Sequence, residues 1–144
     1  MPETNAPGDH ELPEDVLALL RTHLETYEQI EVLQLLHSEP RGAWSPGRIS
    51  ERLHIDVPLV ETAVNALQSG ELIQCSATEA GRASAYSPGN PTLKAAAERL
   101  LQEYRERPAR IMQLISSYAI ERVRTAAARA FADAFILKKG PDRG

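Results

Sequence analysis

Two short helices in close succession, each with proline in its first turn, constrain the fold of this 144-residue chain more than any other feature. Ser45 followed by Pro46 is typical of a helix N-cap with proline at a position where its missing N–H costs nothing. Asp56 and Pro58 repeat the arrangement at the second start. Apolar residues then recur every three or four positions, which predicts a buried stripe on each helix. The stripe residues are Ile49 and Leu53 in the first helix, and Val60, Val64 and Leu67 in the second.

A hairpin is predicted directly after the second helix. Ser69 and Gly70 are expected to end that helix. Residues 72–75 and 83–87 favour two short strands, joined by a turn at 78–82. Two short helices joined by a tight turn and followed by a hairpin are the ground plan of a winged helix-turn-helix, in which the hairpin is the wing.

Long amphipathic helices are predicted on both sides of this unit. Acidic residues after Pro13 suit a first helical turn, and the apolar face broadens along the segment that ends before Pro40, with a bend or break near Thr26. The fold class is therefore predicted to be mainly α with a small β-hairpin wing, a winged helix-turn-helix with long N- and C-terminal helices. Trp44, just before the unit, should pack near Leu53, Leu67 or the wing strands.

The C-terminal part is predicted to be helical from Asn90 onward. Its apolar positions stay in phase across Pro108, which predicts a kink rather than an end, and Ser116-Ser117 is expected to mark a break. Beyond it, apolar residues alternate gaps of three and four, the seam of a helix that packs closely on another helix. The seam comprises Ile120, Val123, Ala127, Ala130, Ala134 and Leu137, with Phe131 and Phe135 beside it. The partner helix is either the N-terminal one, through Val16, Leu20 and Leu24, or a second subunit.

These patterns divide the chain into four predicted segments. Residues 1–12 contain Pro, Gly and acids without apolar periodicity and are expected to be a disordered tail. An N-terminal helical segment follows at 13–40, then the winged helix-turn-helix at 41–89. Residues 90–144 are expected to be helices for dimerisation or packing.

Composition argues against several classes of protein. The chain has one cysteine, Cys75, which allows no internal disulfide and suits a half-buried strand residue. No apolar run approaches the roughly 18 residues that cross a membrane, and the N-terminus resembles no signal peptide, so we expect a cytoplasmic protein without membrane contact. The histidines lack metal-ligand spacing, and no nucleophile or phosphate-binding motif is present. We therefore expect no enzyme, no metal and no cofactor.

Charge is distributed unevenly along the chain. Residues 1–43 hold two Arg and nine acidic residues, 44–88 three Arg and five acidic residues, and 89–144 eleven basic and six acidic residues. This polarity favours antiparallel contact between the acidic N-terminal and the basic C-terminal segments, within one chain or between two.

The stretch from Ile30 to Pro88 resembles the winged helix-turn-helix transcriptional regulators, of the broad class that includes the MarR-like and PadR-like families. The resemblance is carried by Trp44-Ser45-Pro46-Gly47-Arg48-Ile49, by Val60 to Leu67 and by Gly70-Glu71-Leu72-Ile73. It implies a bacterial regulator whose second helix enters the major groove of double-stranded DNA while the wing touches the neighbouring groove or backbone. It also implies a homodimer formed by the terminal helices, with a candidate interface at Ile120, Val123, Ala127, Phe131, Ala134 and Phe135.

The second helix departs from the charge that such regulators normally present. Its predicted exposed side carries Leu59, Glu61, Thr62, Asn65 and Gln68, and no Lys or Arg occurs from Asp56 to Ile73. Because phosphate neutralisation supplies much of DNA affinity, we expect weak or conditional DNA binding. Asn65 suits adenine and Thr62 a phosphate or thymine methyl group. The candidate DNA contacts are Arg48, Arg52, Thr62, Asn65, Gln68 and Arg82.

A second interpretation stays open from the same residues. The winged helix would be a protein-interaction module, in which the helix Val57–Ser69, which carries no Lys or Arg, and the basic final helices bind a protein partner without DNA. Electrostatics distinguishes the two. The DNA interpretation requires Arg48, Arg52 and Arg82 to converge with C-terminal cations on one face beside Thr62 and Asn65.

Overall fold

The computed structural model describes residues 12–79 and 81–139. Their element order is α1 (Glu14–Thr22), α2 (Tyr27–Ser38), α3 (Pro46–Leu53), α4 (Val57–Ser69), β1 (Ile73–Thr78), β2 (Gly81–Tyr86), α5 (Pro91–Glu106) and α6 (Pro108–Lys139). The predicted fold class is confirmed: the chain is mainly helical, with a two-stranded antiparallel hairpin after the helix-turn-helix. No described helix is both long and apolar enough to cross a bilayer.

The N-terminal helix packs against the C-terminal helices. α1 contacts α5 and α6, and its apolar residues Val16, Leu19 and Leu20 are buried. Leu12, which we expected to belong to a disordered tail, is also buried, since its apolar side chain packs into the hydrophobic core. The remainder of the predicted tail, residues 1–11, lies outside the described residues.

α2 is the central helix of the fold. It contacts α3, α4 and β2, and apolar residues around most of its circumference are buried, in agreement with its broad apolar pattern. The break expected near Thr26 is confirmed, since Thr26 is the N-cap of α2. Its hydroxyl accepts from the Gln29 backbone N–H, and the Gln29 side chain accepts from the Thr26 backbone N–H, which forms a capping box.

The helix-turn-helix follows with a tight turn. The Ser45 hydroxyl accepts from the Arg48 backbone N–H and caps α3, as predicted. Asp56 occupies the N-cap of α4 but makes no side-chain capping bond. The chain reverses at His54, which adopts a left-handed conformation with φ of 59°.

Helix α4 ends at Ser69 with Gly70 as its C-cap, as predicted. The residue in the left-handed conformation is Glu71, with φ of 63°, and not Gly70. The Leu72 backbone N–H donates to the Leu67 carbonyl and the Glu71 N–H to the Gln68 carbonyl, the bonding pattern of a Schellman motif. A Cβ on Gly70 would lie 3.1 Å from the His23 ring, which is a tight contact, so the glycine leaves room for this ring.

The wing is an antiparallel pair in which Ile73 lies opposite Tyr86 and Thr78 opposite Gly81. Trp44 extends the pairing through an isolated bridge to Ser84, whose backbone N–H donates to the Trp44 carbonyl at 2.9 Å. The Trp44 ring is buried, as expected of a structural residue. Cys75 lies half-buried on β1, also as expected.

Two expectations about the C-terminal helices are wrong. Helix α5 ends at Glu106 and α6 begins at Pro108, so the helix is interrupted where we expected only a kink. The proline ring disfavours a helical backbone conformation for the residue before it. Arg107, which precedes Pro108, accordingly has φ of −139° and ψ of 67°. The expected break at Ser116-Ser117 is absent, because these exposed residues lie on the outer side of a continuous helix whose neighbour Ile115 is buried.

Much of the predicted seam on α6 is exposed. Ile120, Val123, Phe131 and Phe135 are between 53% and 74% exposed, and the two phenylalanine rings stack with centroids 6.4 Å apart. Val16, Leu20 and Leu24 are instead buried in the core that α1 forms with α5 and the first turns of α6. The seam therefore does not fold back on the N-terminal helix of its own chain.

Candidate nucleic-acid interface

The face of α4 that is turned to solvent is the one predicted from its apolar stripe. Val60, Val64 and Leu67 are fully buried against α2, α3 and β1, together with Ala63. The exposed side presents Leu59, Glu61, Thr62, Asn65 and Gln68. The Thr62 hydroxyl donates to the Pro58 carbonyl at 3.0 Å, which leaves its oxygen lone pairs for an outside donor.

The wing supplies the positive charge that α4 lacks. Arg82 lies on β2, opposite Ala77, and its Nη2 donates to the Oδ1 of Asn65 at 2.8 Å. The Nε of Arg82 is buried and has no hydrogen-bond partner in the described part of the chain. The guanidinium is thus placed beside the exposed face of α4 by a contact between wing and helix.

A groove runs between α4 and the wing next to this contact. It has a volume of about 390 Å³ and is lined by Gln68, Cys75, Thr78, Gly81 and Arg82 among others. The Gln68 side chain also borders a second cleft of about 410 Å³ at the root of the hairpin, with Glu71 and Gln74. Asn65, Gln68 and Arg82 are therefore the predicted site residues that the fold brings together.

Arg48 is occupied by contacts on α3. Its guanidinium lies over the Trp44 ring, 4.9 Å from the centroid, and its Nη1 donates to the Ala43 carbonyl at 3.0 Å. A cation stacked on an indole keeps its charge but not its freedom to move.

Arg52 is paired with an acid from the end of α2. It forms an ion pair with Glu39, and the hydrogen bond from Arg52 holds the pKa of the Glu39 carboxyl below its usual value. Because this pair is neutral overall, Arg52 offers less positive charge to a phosphate than sequence reasoning assumed.

Cations of the C-terminal helices likewise meet N-terminal acids. Arg99 on α5 contacts Asp15 at 2.9 Å, and Arg122 on α6 lies 3.7 Å from Glu25. The contact between acidic and basic segments that the charge asymmetry favours is thus present within the chain. These cations face α1 and the loop that follows it.

A polar cluster at the root of the wing was missed by sequence reasoning. The Tyr86 hydroxyl donates to Glu98 on α5 at 3.4 Å, and the rings of His37 and Tyr86 pack in a T-shaped arrangement. Lys94 donates to the same carboxylate at 2.8 Å, and this bond holds the pKa of Glu98 below its usual value. Burial, and then the negative Glu98, raise the pKa of Tyr86 to about 12. No local pattern signals this cluster, since its members come from separate elements.

Metal ligands do not gather anywhere in the described residues. No group of three or more His, Cys, Asp or Glu side chains in this part of the chain is arranged to hold an ion. Among the predicted DNA contacts, those that the described structure brings together lie on the exposed side of α4 and on the wing beside it.

Comparison with known proteins adds evidence on the fold. Neither a protein-family model nor a curated protein sequence matches the chain. Among solved structures, a MepR mutant from S. aureus bound to an oligodeoxyribonucleotide is 14% identical, with a TM-score of 0.50, and the alignment covers 84% of this chain and 88% of that one. This likeness shows that the two chains share a fold.

Two further solved structures resemble the chain with lower TM-scores. The transcriptional regulator Tm0710 from Thermotoga maritima is 16% identical with a TM-score of 0.44, and 90% of this chain and 85% of that one are covered. S. aureus MepR bound to ethidium bromide is 14% identical with a TM-score of 0.47, over 84% and 86% of the two chains.

Proposed function

We propose that the protein is a bacterial, cytoplasmic transcriptional regulator that binds double-stranded DNA as a homodimer and carries out no reaction. The observation that carries the proposal is the position of Arg82, a wing cation held beside the exposed Asn65 and Gln68 of α4. Helix α4 would enter the major groove and the wing would lie over the adjacent backbone. The MepR mutant, which shares the fold, is bound to an oligodeoxyribonucleotide.

DNA binding by this surface should be weak or conditional. Each cation that neutralises a phosphate adds to affinity, and Arg48 and Arg52 are engaged with Trp44 and Glu39. Glu61 adds a negative charge on the exposed side of α4. Arg82 is then the main cation among the candidate DNA contacts.

The homodimer is supported by the direction in which α6 presents its apolar seam. Ile111 and Ile115, near the start of α6, are buried against the body of the chain. At 3.6 residues per turn, Val123, Ala127 and Ala134 lie roughly a third of a turn around the helix from that buried face. The seam thus points away from the subunit, and a second copy would cover it. Alanines in the seam would allow close approach of the two helices.

The test of the proposed function is binding to pooled genomic DNA fragments across a salt series. The wild type should be retained with a steep fall in affinity as salt rises. Arg82→Ala should weaken retention. It should also reduce the slope of log affinity against log salt concentration by about one, the contribution of one phosphate contact. Arg105→Ala, which removes an exposed cation from α5, is the matched control and should leave both quantities unchanged.

A substitution at Glu61 should change DNA affinity in the opposite direction in the same assay. Glu61→Gln should tighten DNA binding, because it removes a negative charge from the helix that faces the phosphates. Retention that stays at background for the wild type, Glu61→Gln and Arg82→Ala alike would contradict the regulator proposal.

A second candidate function is a protein-interaction module without DNA binding. The observation that favours it is the apolar exposure on an α4 that carries no cation, with Val57 39% and Leu59 49% exposed. In that case Leu59→Ala or Thr62→Ala should weaken capture of a protein partner, while changes at Glu61 and Arg82 leave DNA retention at background.

A further inference from the structure

We infer that Arg82 holds Asn65 as a hydrogen-bond donor toward the major groove, so that the site selects guanine over adenine at the base pair that Asn65 meets. The inference rests on the proposed function and assigns a base preference to the same surface. It revises the expectation from sequence alone that Asn65 reads adenine.

The orientation of the Asn65 amide follows from the chemistry of its partner. Arg82 Nη2 lies 2.8 Å from Asn65 Oδ1. A guanidinium has only donors, so the atom that faces it must be the carbonyl oxygen and not the amide nitrogen. The contact therefore sets which end of the Asn65 side chain is occupied and which end is free.

Adenine recognition requires both ends of the amide. Asparagine reads adenine by accepting from its N6 amino group through Oδ1 while donating to N7 through Nδ2. Arg82 takes one of the two lone pairs of Oδ1 and turns this oxygen toward the wing, so the amide cannot aim both ends at one adenine and presents its Nδ2 hydrogens instead. Guanine presents two adjacent acceptors, N7 and O6, on its major-groove edge, whereas adenine presents one acceptor beside a donor. An Asn65 that presents its Nδ2 hydrogens is therefore complementary to guanine.

Several features of the wing keep Arg82 in this place. The hairpin register puts Arg82 opposite Ala77, one pair from the end of the ladder, and the Thr78 hydroxyl donates to the Gly81 carbonyl across the turn. The buried Nε restricts the side chain to the space between wing and helix. Because only Nη2 donates to Asn65, the positive charge of Arg82 is not cancelled by a carboxylate there.

The experiment is selection from a randomised duplex library at low salt, with the full-length protein. The wild type should enrich guanine at one position of each half-site. Asn65→Ala should lose the preference at that position, which identifies it as the one that Asn65 reads. Arg82→Ala should bind more weakly overall and shift the guanine-to-adenine ratio at that same position by about tenfold toward adenine, because Oδ1 becomes free. Arg105→Ala should reproduce the wild-type profile.

A second measurement does not need DNA. In the free protein, Arg82→Ala should shift the side-chain amide resonances of Asn65 in a ¹⁵N-edited spectrum, and Arg105→Ala should not. Unshifted resonances in Arg82→Ala would overturn the inference.

The outcomes separate the two proposals. Enriched sites whose guanine-to-adenine ratio is the same for the wild type and Arg82→Ala, or a wild-type preference for adenine at the Asn65 position, would overturn the inference and leave the regulator proposal standing. No salt-dependent enrichment by the wild type would overturn both.

Discussion

At the residue scale, Trp44 connects three parts of the fold. Its indole N–H donates to the Glu39 carbonyl at the end of α2 at 2.8 Å, its own carbonyl accepts from Ser84 on β2, and its ring lies beneath Arg48 on α3. A Cβ on Gly42 would lie 2.4 Å from the indole nitrogen, so the chain passes very close to the ring.

Replacement of this ring should destabilise the protein strongly. Trp44→Ala should lower the free energy of unfolding by about 3–5 kcal/mol, the range for large-to-small changes of a buried aromatic residue. Tyr27→Ala, at an exposed aromatic position, is the control and should cost far less. Urea denaturation followed by circular dichroism measures both. A loss below about 1 kcal/mol for Trp44→Ala would show that the ring contributes little to the core.

The left-handed conformation of Glu71 predicts a stabilising substitution. Glu71→Gly should raise the free energy of unfolding by about 0.5–1 kcal/mol, because relief of the left-handed strain exceeds the entropy that glycine adds to the unfolded chain. Glu61→Gly makes the same exchange inside α4 and should cost about 1 kcal/mol. Thermal melts of the two variants should move in opposite directions, and a lower melting temperature for Glu71→Gly would contradict this account.

At the scale of elements, the wing is joined to the helical body at its root. Tyr86, at the end of β2, contacts both His37 on α2 and Glu98 on α5. A similar bond links α2 and α5 directly, where the Tyr104 hydroxyl donates to Glu31, and burial raises the pKa of Tyr104. These contacts make the neutral phenols part of the packing between elements.

Alkaline pH should therefore weaken the attachment of the wing. The pKa of Tyr86 is about 12 in the folded chain and near 10 in the unfolded chain, so the unfolded state loses its proton first as pH rises above 10. Stability should fall between pH 10 and 12. Tyr86→Phe should show a shallower fall over this window in chemical denaturation, and Tyr104 accounts for part of the loss that remains. At pH 8 Tyr86 keeps its proton in both the folded and the unfolded state. The stability of each protein at pH 8 is therefore the reference for its own fall at higher pH. Equal slopes for wild type and variant would refute this role.

At the scale of the whole molecule, α6 extends beyond the body that the other elements form. The helix has 32 residues and is about 48 Å long. Described residues from Val123 to Ile136 are exposed along it, and several are large and apolar. A helix in a protein gains most of its stability from the packing of its apolar face, so we expect a partner to cover this half of α6.

Light scattering should accordingly give twice the chain mass of 15.9 kDa at micromolar concentration. Phe131→Glu should shift the mass to that of the monomer, because burying an unpaired carboxylate in the interface between two seams is costly. Thr125→Glu places the same charge roughly half a turn around α6 from the seam and should leave the dimer intact. A monomer mass for the wild type would remove the homodimer from the proposed function.

Local features of the sequence were sufficient to predict the helix-turn-helix, the wing and the exposed side of α4. Caps such as Ser45 and the apolar period of α4 act over three or four residues, so they can be identified before any tertiary contact forms. The same local reasoning failed at Pro108, because an apolar phase that continues across a proline does not show whether the backbone continues as well.

Only the tertiary structure decided which of the candidate site residues lie close together. Arg48, Arg52 and Arg82 were equivalent surface cations in the sequence, yet one stacks on Trp44, one pairs with Glu39 and one reaches Asn65. The sequence also left open whether the α6 seam faces the N-terminal helix of its own chain, and the packing of α1 on α5 decided this. These outcomes depend on distances between elements that are remote in sequence. Such distances are determined by how the whole core packs, and no local pattern records them.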